Sequence, residues 1–388
     1  MEGGRTVSEL DDCRAEIDRI DDGLRDLLVR RFGVSEKVAE LKRRDGAAVS
    51  DPQREREILY RITDGVGDEY MTGLRQLFTS IFGISKAMQR CRIGAGGALL
   101  DEIAVATTQE RFPQKAVVAV PGVEGSYAHQ AASKMFPIAS ILNFNGFEKV
   151  FEAVESGLCP YGILPLENSA AGSVTAVYDL MRNHSFHIVR ALSIKVDHVL
   201  LAAKGTKLGD ITTVASHPHA LAQCSAFLKR HPAMRAEPGP NTAAAAKELS
   251  LSGEKGRAVI ASRACAELYG LDIVADDICD AQYNHTRFIC IAKDLDVRSD
   301  ANKVAIMLDL PHRPGVLNGI IAKFAAIDVN LTKLESRPVP GKDFEFSFIF
   351  EFEAEISDRQ VRALLAELSS DPGIERFTFL GSFCEKQG

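Results

Sequence analysis

The sequence predicts a multidomain protein in which an all-α segment is followed by an α/β segment and by a small segment of order βαββαβ. Its 388 residues are too many for one ordinary hydrophobic core, so the chain should divide into two or three domains. The spacing of the apolar residues also changes twice, near residues 100–115 and again near residue 300. These two changes of period place the expected domain boundaries.

The first segment is predicted to be helical because apolar residues between Leu10 and Leu41 recur every three or four positions. A helix over residues 8–44 would be roughly 55 Å long, which is more than its own short domain could cover. Its apolar face therefore predicts a partner chain. A second helix should start with Asp51 as N-cap and Pro52 in the first turn, and a third should span residues 68–91. Residues 94–115 lose the helical pattern and are interpreted as a linker, with room for a short helix.

The middle segment contains short apolar runs that each lead into a helical pattern, at residues 116–120, 161–166, 211–215 and 258–261. This alternation predicts βα units with a largely parallel sheet. The last segment predicts strands at residues 304–310, 329–335, 344–352 and 374–383, with one helix ending at residue 326 and another over residues 357–368. The order βαββαβ is typical of a ferredoxin-like domain.

Composition excludes several classes of function. The net charge is −7 and no basic tract is present, so we expect neither nucleic acid nor a membrane surface as a partner. The eight cysteines form no CxxC pair, which fits reduced thiols rather than a disulfide framework or a metal site. No apolar run approaches about 18 residues and no signal-peptide pattern precedes the first helix, so a soluble cytoplasmic protein is expected.

Arg31 is the unusual residue of the first helix, because a guanidinium on an apolar face needs an anion to offset its desolvation. Lys42 returns to nearly the same face eleven residues later, and the two side chains could clasp a small dianion. Arg14 lies about 25 Å from Arg31 along the axis, so it would serve a site in a second subunit.

The second and third helices offer further polar side chains at helical spacing. Asp51, Arg54 and Glu55 share one face of the second helix, and Ser85 and Gln89 share one face of the third. Each group alone fits a solvated helix face. Together with Arg31, they indicate a site built by three helices.

The segments "LDDCRAEIDRIDDGLRDLLVRRF", "LKRR", "DPQRERE" and "GISKAMQ" resemble the all-helical chorismate mutase domain, which forms intertwined dimers. The resemblance implies that chorismate carboxylates are bound by three arginines, its ether oxygen by a lysine and a glutamine, and a hydroxyl by a glutamate. The residues that it places in this site are Arg14 from the partner chain, Arg31, Lys42, Asp51, Arg54, Glu55, Ser85 and Gln89.

Four polar stretches follow strands of the α/β segment: "PGVEGSYAHQAA", "LPLENSAAGSV", "ASHPHALAQC" and "YNHTRF". Ser126, Ser173 and Ser216 stand where helices are expected to begin, so each alone is interpreted as an N-cap. "YNHTRF" alone reads as a loop. Recurrence at one end of the sheet indicates a ligand cleft.

The landmarks "PLENS", "GSV", "SHP" and "TRF" resemble prephenate dehydratase. The resemblance implies two α/β lobes, as in periplasmic binding proteins, with the site between them and the loop at residues 122–127 shaping it. Thr286 would donate to the leaving hydroxyl, and Arg287 would position Thr286 or a carboxylate. The implied catalytic residues are Asn168, Gln223 and Thr286, and the implied substrate-binding residues are Glu167, Ser169, Ser216 and Arg287.

The segments "RPGVLNGIIAKF" and "VNLTKLESRP" resemble the ACT amino-acid-sensing domain, with Val316 in place of the usual alanine. The resemblance implies that L-phenylalanine binds between two such domains and inhibits the dehydratase. The implied effector-binding residues are Gly315, Val316, Leu317, Glu335, Ser336, Arg337 and Pro338. Without the motif, a plain dimerisation sheet remains the alternative.

The resemblances together imply a bifunctional enzyme of phenylalanine biosynthesis that converts chorismate to prephenate and then to phenylpyruvate. They imply a mutase domain at residues 1–93, a linker at 94–115, a dehydratase domain at 116–296 and an ACT domain at 300–388. A homodimer or higher oligomer without cofactor or metal is expected. Arogenate as the dehydratase substrate and a non-catalytic sensor of aromatic metabolites are the alternatives. A fused prephenate dehydrogenase is disfavoured because no GxGxxG motif stands in a dinucleotide-binding context.

Overall fold

The computed structural model describes residues 5–281, 283–342 and 345–387. The chain forms two compact units, and each unit draws on three separate stretches of sequence. Within the described residues, the first unit contains residues 5–102, 309–329 and 357–377, and the second contains the remainder.

The helices and strands alternate along most of the chain. The α-helices are α1 (Arg5–Asp45), α2 (Pro52–Thr63), α3 (Asp68–Arg92), α4 (Gly97–Ala106), α5 (Tyr127–Met135), α6 (Phe147–Glu155), α7 (Thr175–Met181), α8 (Pro218–Gln223), α9 (Ser225–Arg230), α10 (Thr242–Ser252), α11 (Arg263–Tyr269), α12 (Val316–Ala325) and α13 (Arg359–Ser369). The strands are β1 (Thr107–Thr108), β2 (Lys115–Pro121), β3 (Ile138–Phe144), β4 (Tyr161–Asn168), β5 (Gly172–Ser173), β6 (His187–Lys195), β7 (His198–Ala202), β8 (Thr213–Ser216), β9 (Arg235–Pro238), β10 (Arg257–Ser262), β11 (Asp272–Ala275), β12 (His285–Ala292), β13 (Val297–Arg298), β14 (Lys303–Leu310), β15 (Leu331–Pro338), β16 (Phe346–Glu353) and β17 (Arg376–Gln387).

The three helices predicted for the first segment are confirmed. The start of α2 follows the predicted chemistry, because the Asp51 carboxylate accepts a hydrogen bond from the Arg54 backbone N–H and Pro52 occupies the first turn. The expected short helix in the 94–115 segment is α4.

The apolar stripe of α1 remains largely uncovered within one chain. Ile17, Ile20, Leu24 and Leu27 are all about half exposed or more, although their spacing is that of a buried helix face. These side chains form an exposed apolar patch on the first unit.

Within the first unit, α13 packs against α3 and brings an ion cluster to the end of that helix. The Arg90 side chain is 7% exposed, and its Nη2 lies 3.1 Å from Asp371 Oδ2. Lys323 of α12 pairs with Asp371 at 3.3 Å and also with Glu367. Burial acts to raise the pKa of Asp371, but the Gly373 backbone N–H and the two cations outweigh it and hold that pKa below its usual value.

The second unit contains two large sheets that form two lobes. The strand order is β11-β7-β10-β8-β9 in the smaller sheet and β15-β16-β14-β17-β6-β12-β4-β2-β3 in the larger, with β5 beside β4. The predicted largely parallel sheet is wrong, because β12 is antiparallel to β4 and β6, and β7 is antiparallel to β10 and β11. The chain crosses from the larger sheet to the smaller sheet between β6 and β7, and it returns to the larger sheet between β11 and β12. The antiparallel strands β7 and β12 are the ones that follow these two crossings.

The last four strands confirm the predicted ferredoxin-like arrangement, because the connection order βαββαβ gives the sheet order β15-β16-β14-β17. The strand expected from residue 344 is β16, which starts at Phe346; Phe344 itself lies outside the described residues.

A β-bulge separates two faces at the end of β4. Thr286 is paired with Asn168 and Arg287 with Glu167, after which the register shifts and Leu166 has no cross-strand partner. The extra residue turns Glu167 and Arg287 towards one face of the sheet and leaves Asn168 and Thr286 on the other. Both faces are anchored by buried apolar clusters farther along the same strands.

No helix among the described residues is long and apolar enough to cross a membrane. All eight cysteines are free: four are buried, two are half-buried, and Cys13 and Cys91 are exposed.

Candidate active sites

The helical cluster consists of the predicted site residues on α1, α2 with its N-cap, and α3 other than Arg14, namely Arg31, Lys42, Asp51, Arg54, Glu55, Ser85 and Gln89. Arg31 of α1 donates from Nη1 to the hydroxyl of Ser85 on α3 at 2.5 Å, and its guanidinium carbon lies 5.8 Å from the centre of the Phe82 ring. Burial lowers the pKa of Arg31, and no carboxylate pairs with it among the described residues. A half-buried cation held in this way can accept an anionic ligand.

Other members of the helical cluster have neighbours of their own. Lys42 Nζ donates to the Val49 carbonyl at 2.7 Å. On α2, Arg54 pairs with Glu57 at 3.1 Å, and Glu55 pairs with Lys86 of α3 at 3.0 Å.

Gln89 is buried on α3, in line with Ser85 one turn earlier. Its Oε1 has no hydrogen-bond partner among the described residues. Because an amide can be assigned in either orientation, this side chain can present an acceptor or a donor to a ligand. Arg14 pairs with Asp11 at 3.2 Å and is exposed. It lies 17 residues from Arg31 on one continuous helix, so a single chain does not bring it to the cluster.

The cleft cluster begins with Asn168 and Thr286, which face each other across β4 and β12. The Asn168 carbonyl oxygen accepts from the backbone N–H groups of Ala170 and Ala171 at 3.0 and 2.9 Å, which fixes the orientation of the amide. Its Nδ2 therefore donates, to Thr286 Oγ1 at 2.9 Å and to Asn284 Oδ1 at 2.8 Å. Since the Thr286 oxygen already accepts a hydrogen bond, its own O–H is available to donate.

The cleft cluster continues through neutral groups into the second lobe. Gln223 Nε2 lies 3.5 Å from Asn168 Oδ1, and its Oε1 lies 3.2 Å from His198 Nε2. The other ring nitrogen of His198 lies 3.3 Å from the Tyr127 hydroxyl, which also donates to the Asp197 carbonyl. Burial lowers the pKa of His198 and raises that of Tyr127, so both are neutral near pH 7.

The reverse-face cluster lies across the sheet from the cleft and contains Glu167 and Arg287. Arg287 Nη2 lies 2.7 Å from Glu351 Oε2 of β16, and Nε lies 2.5 Å from Glu385 Oε1 of β17. Burial opposes the charge of Arg287, but these two carboxylates outweigh it and raise its pKa. Lys303 of β14 also pairs with Glu385. Arg287 is thus bonded to the C-terminal strands.

Glu167 has a lysine partner from the C-terminal strands. Lys333 Nζ of β15 lies 3.1 Å from Glu167 Oε1, 3.1 Å from Ser173 Oγ and 3.6 Å from Glu335 Oε2. The Ser173 hydroxyl donates to Glu335 at 2.7 Å.

The residues predicted to bind an effector are distributed over two places. Glu335 of β15 accepts from Ser173 of β5, and Arg337 of the same strand forms a double ion pair with Asp179 of α7 at 2.8 and 3.0 Å. Ser336 and Pro338 lie on the exposed face of the same strand. Gly315, Val316 and Leu317 belong to the first unit, where Gly315 has a φ of +83° and precedes α12.

The predicted helix caps are confirmed only in part. Ser126 caps α5 and accepts a hydrogen bond from the His129 N–H. The N-caps of α7 and α8 are Val174 and His217, so the interpretation of Ser173 and Ser216 as caps is wrong. Both serines still end strands, and strand pairing places the helix start one residue later.

Two predicted substrate-binding serines form internal hydrogen bonds. The fully buried Ser216 donates to the Ile260 carbonyl at 2.6 Å. Ser169 donates to the Tyr283 carbonyl and accepts from the His285 N–H, which ties the end of β4 to the start of β12.

Comparison with known proteins gives a family match for each of the two segments that contain these clusters. Residues 118–296 match the family model described as prephenate dehydratase, and residues 13–90 match that described as chorismate mutase type II. The arogenate dehydratase/prephenate dehydratase 2 of Arabidopsis thaliana, a chloroplastic protein, is 38% identical over 262 residues, which cover 65% of this chain and 68% of that relative. The chain belongs to the prephenate dehydratase family.

Two further similarities extend beyond residues 118–296 of this prephenate dehydratase. A bifunctional chorismate mutase/prephenate dehydratase of Enterobacter agglomerans is 29% identical over 368 residues and covers 92% of each chain. The crystal structure of the Arthrobacter aurescens prephenate dehydratase in complex with L-Phe has a TM-score of 0.63 and 30% identity, and covers 70% of this chain and 90% of that one.

Two residues of the cleft cluster were not among the site residues predicted from the sequence. His198 and Asn284 join the hydrogen-bonded chain, and Asn284 is only 1% exposed. Asn284 stands within the "YNHTRF" motif, so its position was a usable signal. His198 begins an apolar strand, and its membership of the cleft cluster is visible only from its contact with Gln223 in the folded chain. Lys86 and Lys333, which pair with predicted site residues, carry no local signal either.

Proposed function

We propose that this enzyme rearranges chorismate to prephenate in the helical cluster and converts prephenate to phenylpyruvate in the cleft cluster. The observation that supports the dehydratase step most directly is the fixed amide of Asn168, which leaves the Thr286 O–H free to donate. The two family matches support the pairing of the activities in one chain.

In the dehydratase step, the bond to the departing carboxylate breaks and its electron pair enters the ring. The ring hydroxyl leaves, takes a proton that solvent supplies and becomes water, while carbon dioxide departs and the ring becomes aromatic. Thr286 donates to that leaving hydroxyl, with Asn168 and Gln223 holding it in place. Neutral donors suit this role because no charged acid is needed when aromatisation drives the reaction.

In the mutase step, one carbon–oxygen bond breaks as a carbon–carbon bond forms, and no proton is transferred. The protein has to bind the folded conformer and stabilise negative charge on the ether oxygen. We assign Arg31 and Arg54 to the carboxylates, Lys42 and Gln89 to the ether oxygen and Glu55 to a hydroxyl. Asp51 and Ser85 support them by capping α2 and by bonding Arg31.

We further propose that a second copy covers the apolar stripe of α1 and supplies Arg14 to the neighbouring site. The exposure of that stripe and the distance of Arg14 from Arg31 support this assembly. L-Phenylalanine is proposed as an inhibitor that binds at the ACT segment, through Gly315, Val316, Leu317 and the 335–338 stretch. We also propose that the mutase, dehydratase and ACT domains span residues 1–93, 116–296 and 300–388. The same proposal places the protein in the cytoplasm.

The test is to supply chorismate to the purified chain and to identify the products over time. We expect prephenate to appear first and phenylpyruvate to follow. Supplying prephenate and arogenate separately then compares the two dehydratase substrates, since relatives are named for both. No consumption of chorismate would contradict the mutase assignment, and phenylalanine formed from arogenate without phenylpyruvate from prephenate would favour the alternative substrate.

A further inference from the structure

A lysine outside the predicted sites contacts the reverse face of the dehydratase strands. The Lys333 side chain is 15% exposed and lies between the carboxylates of Glu167 and Glu335, with the Ser173 hydroxyl as a third partner. All three partners are within 3.6 Å of its ammonium nitrogen. A lysine held by three groups has lost most of its freedom to reach a ligand.

Glu167 depends on this lysine for a fixed direction. Its side chain is 36% exposed and lies at the bulge, where the regular pairing of β4 is interrupted at Leu166. Glu335 contacts the same ammonium group, so removal of that group would leave two neighbouring carboxylates without their shared cation. Their repulsion would move the end of β4.

The next residue after Glu167 is Asn168, whose amide orients Thr286. A shift of β4 by a fraction of an ångström would alter the 2.9 Å contact between Asn168 Nδ2 and Thr286 Oγ1. Misplacement of a catalytic donor by about 1 Å can cost on the order of 100-fold in rate.

We propose that Lys333 is a positioning residue of the dehydratase site, acting through Glu167 from the face opposite the cleft. The inference rests on the proposed dehydratase function. It assigns to β15 a part in catalysis as well as in effector binding, because Lys333 also touches Glu335 of the proposed effector set. A ligand that draws Glu335 away would change how Lys333 holds Glu167.

The first experiment measures kcat and KM for prephenate in Lys333→Met, Lys333→Arg and Lys342→Met. Lys342 is a matched control, because it is 48% exposed and pairs with Glu345, three residues away along the chain. We expect Lys333→Met to lower kcat about 10- to 100-fold with KM changed by less than about threefold, and Lys333→Arg to restore most of the rate. Lys342→Met should match the wild type.

A double-mutant cycle with Glu167→Gln then tests the route of the effect. If Lys333 acts through Glu167, the double variant loses about as much kcat as the worse single variant. Losses that multiply would overturn the proposal, as would a Lys333→Met enzyme with wild-type kcat. If the Met variant does not fold by circular dichroism, Lys333→Gln, which keeps a donor for Ser173, takes its place in both comparisons.

The outcomes separate this inference from the function on which it rests. A wild-type enzyme that does not convert prephenate would overturn both. A wild-type enzyme that does so, with Lys333 variants unaffected, would overturn only the positioning role.

Discussion

The helical cluster and the cleft cluster differ in the kind of groups that they offer a ligand. The helical cluster contains charged side chains, Arg31 and Lys42 on α1 and Arg54 and Glu55 on α2. The cleft cluster contains amides, hydroxyls and a neutral histidine that are already bonded to one another. The contrast fits the two reactions, since one requires charge stabilisation at an ether oxygen and the other requires oriented hydrogen-bond donors.

The largest effect is expected at Thr286. Thr286→Ala removes the donor to the leaving hydroxyl and should lower dehydratase kcat by about 10²- to 10⁴-fold. Mutase kcat, measured on chorismate in the same preparation, should stay unchanged. An equal loss of kcat in both assays would contradict the assignment of the two reactions to two different clusters.

The reciprocal change is Lys42→Ala, which removes a cation proposed to bind the ether oxygen. We expect mutase kcat to fall by about 10²- to 10³-fold, while conversion of prephenate keeps its wild-type rate. Arg43→Ala provides the control, because Arg43 is exposed and pairs only with Glu40 in the described contacts. A mutase that tolerates the loss of Lys42 would contradict the assignment of charge stabilisation to this cluster.

The neutral state of His198 predicts a difference in pH dependence. Burial lowers its pKa in the folded protein, so the folded state binds this proton less readily than the unfolded chain. Stability from this group is therefore complete above the ordinary histidine pKa of about 6.5 and is lost as pH falls through the lowered value. Protonation would also place a positive charge in the neutral chain of Gln223, His198 and Tyr127, so dehydratase kcat should fall on the acid side.

The measurement compares pH profiles of kcat for wild type and His198→Gln. The acid limb of the dehydratase profile should weaken or disappear in the variant, and the mutase profile should be the same in both proteins. An unchanged dehydratase profile would show that another group sets the acid limb.

The smallest effect concerns the local structure that supports the helical cluster. Asp51→Ala removes the N-cap of α2 and should lower the free energy of unfolding of the first unit by about 1 kcal/mol. Asp51→Asn keeps a side-chain acceptor and should retain most of that stability in a denaturant titration. If both variants lose mutase rate while only the alanine variant loses stability, Asp51 contributes to the ligand site as well as to the cap.

Local features of the fold were predictable from the sequence, and long-range ones were not. The cap at Asp51 and the helical period of α1 depend on residues a few positions apart. The bulge at Leu166 depends on how β4 pairs with β12, more than a hundred residues later, and it decides which face Glu167 occupies. The ion pairs of Arg287 with Glu351 and Glu385 have the same long-range origin.

The ion cluster at Arg90 has a consequence for dissecting the two activities. A truncated protein ending after Glu102 would keep α1, α2 and α3 but lose Asp371, Glu367 and Lys323. The end of α3 would then lose the packing of α13, and Arg90 would lose the carboxylates that pair with it. The stability of a mutase fragment should therefore be measured before its loss of rate is assigned to a missing catalytic residue, because the lost packing at α3 lowers activity without touching the site.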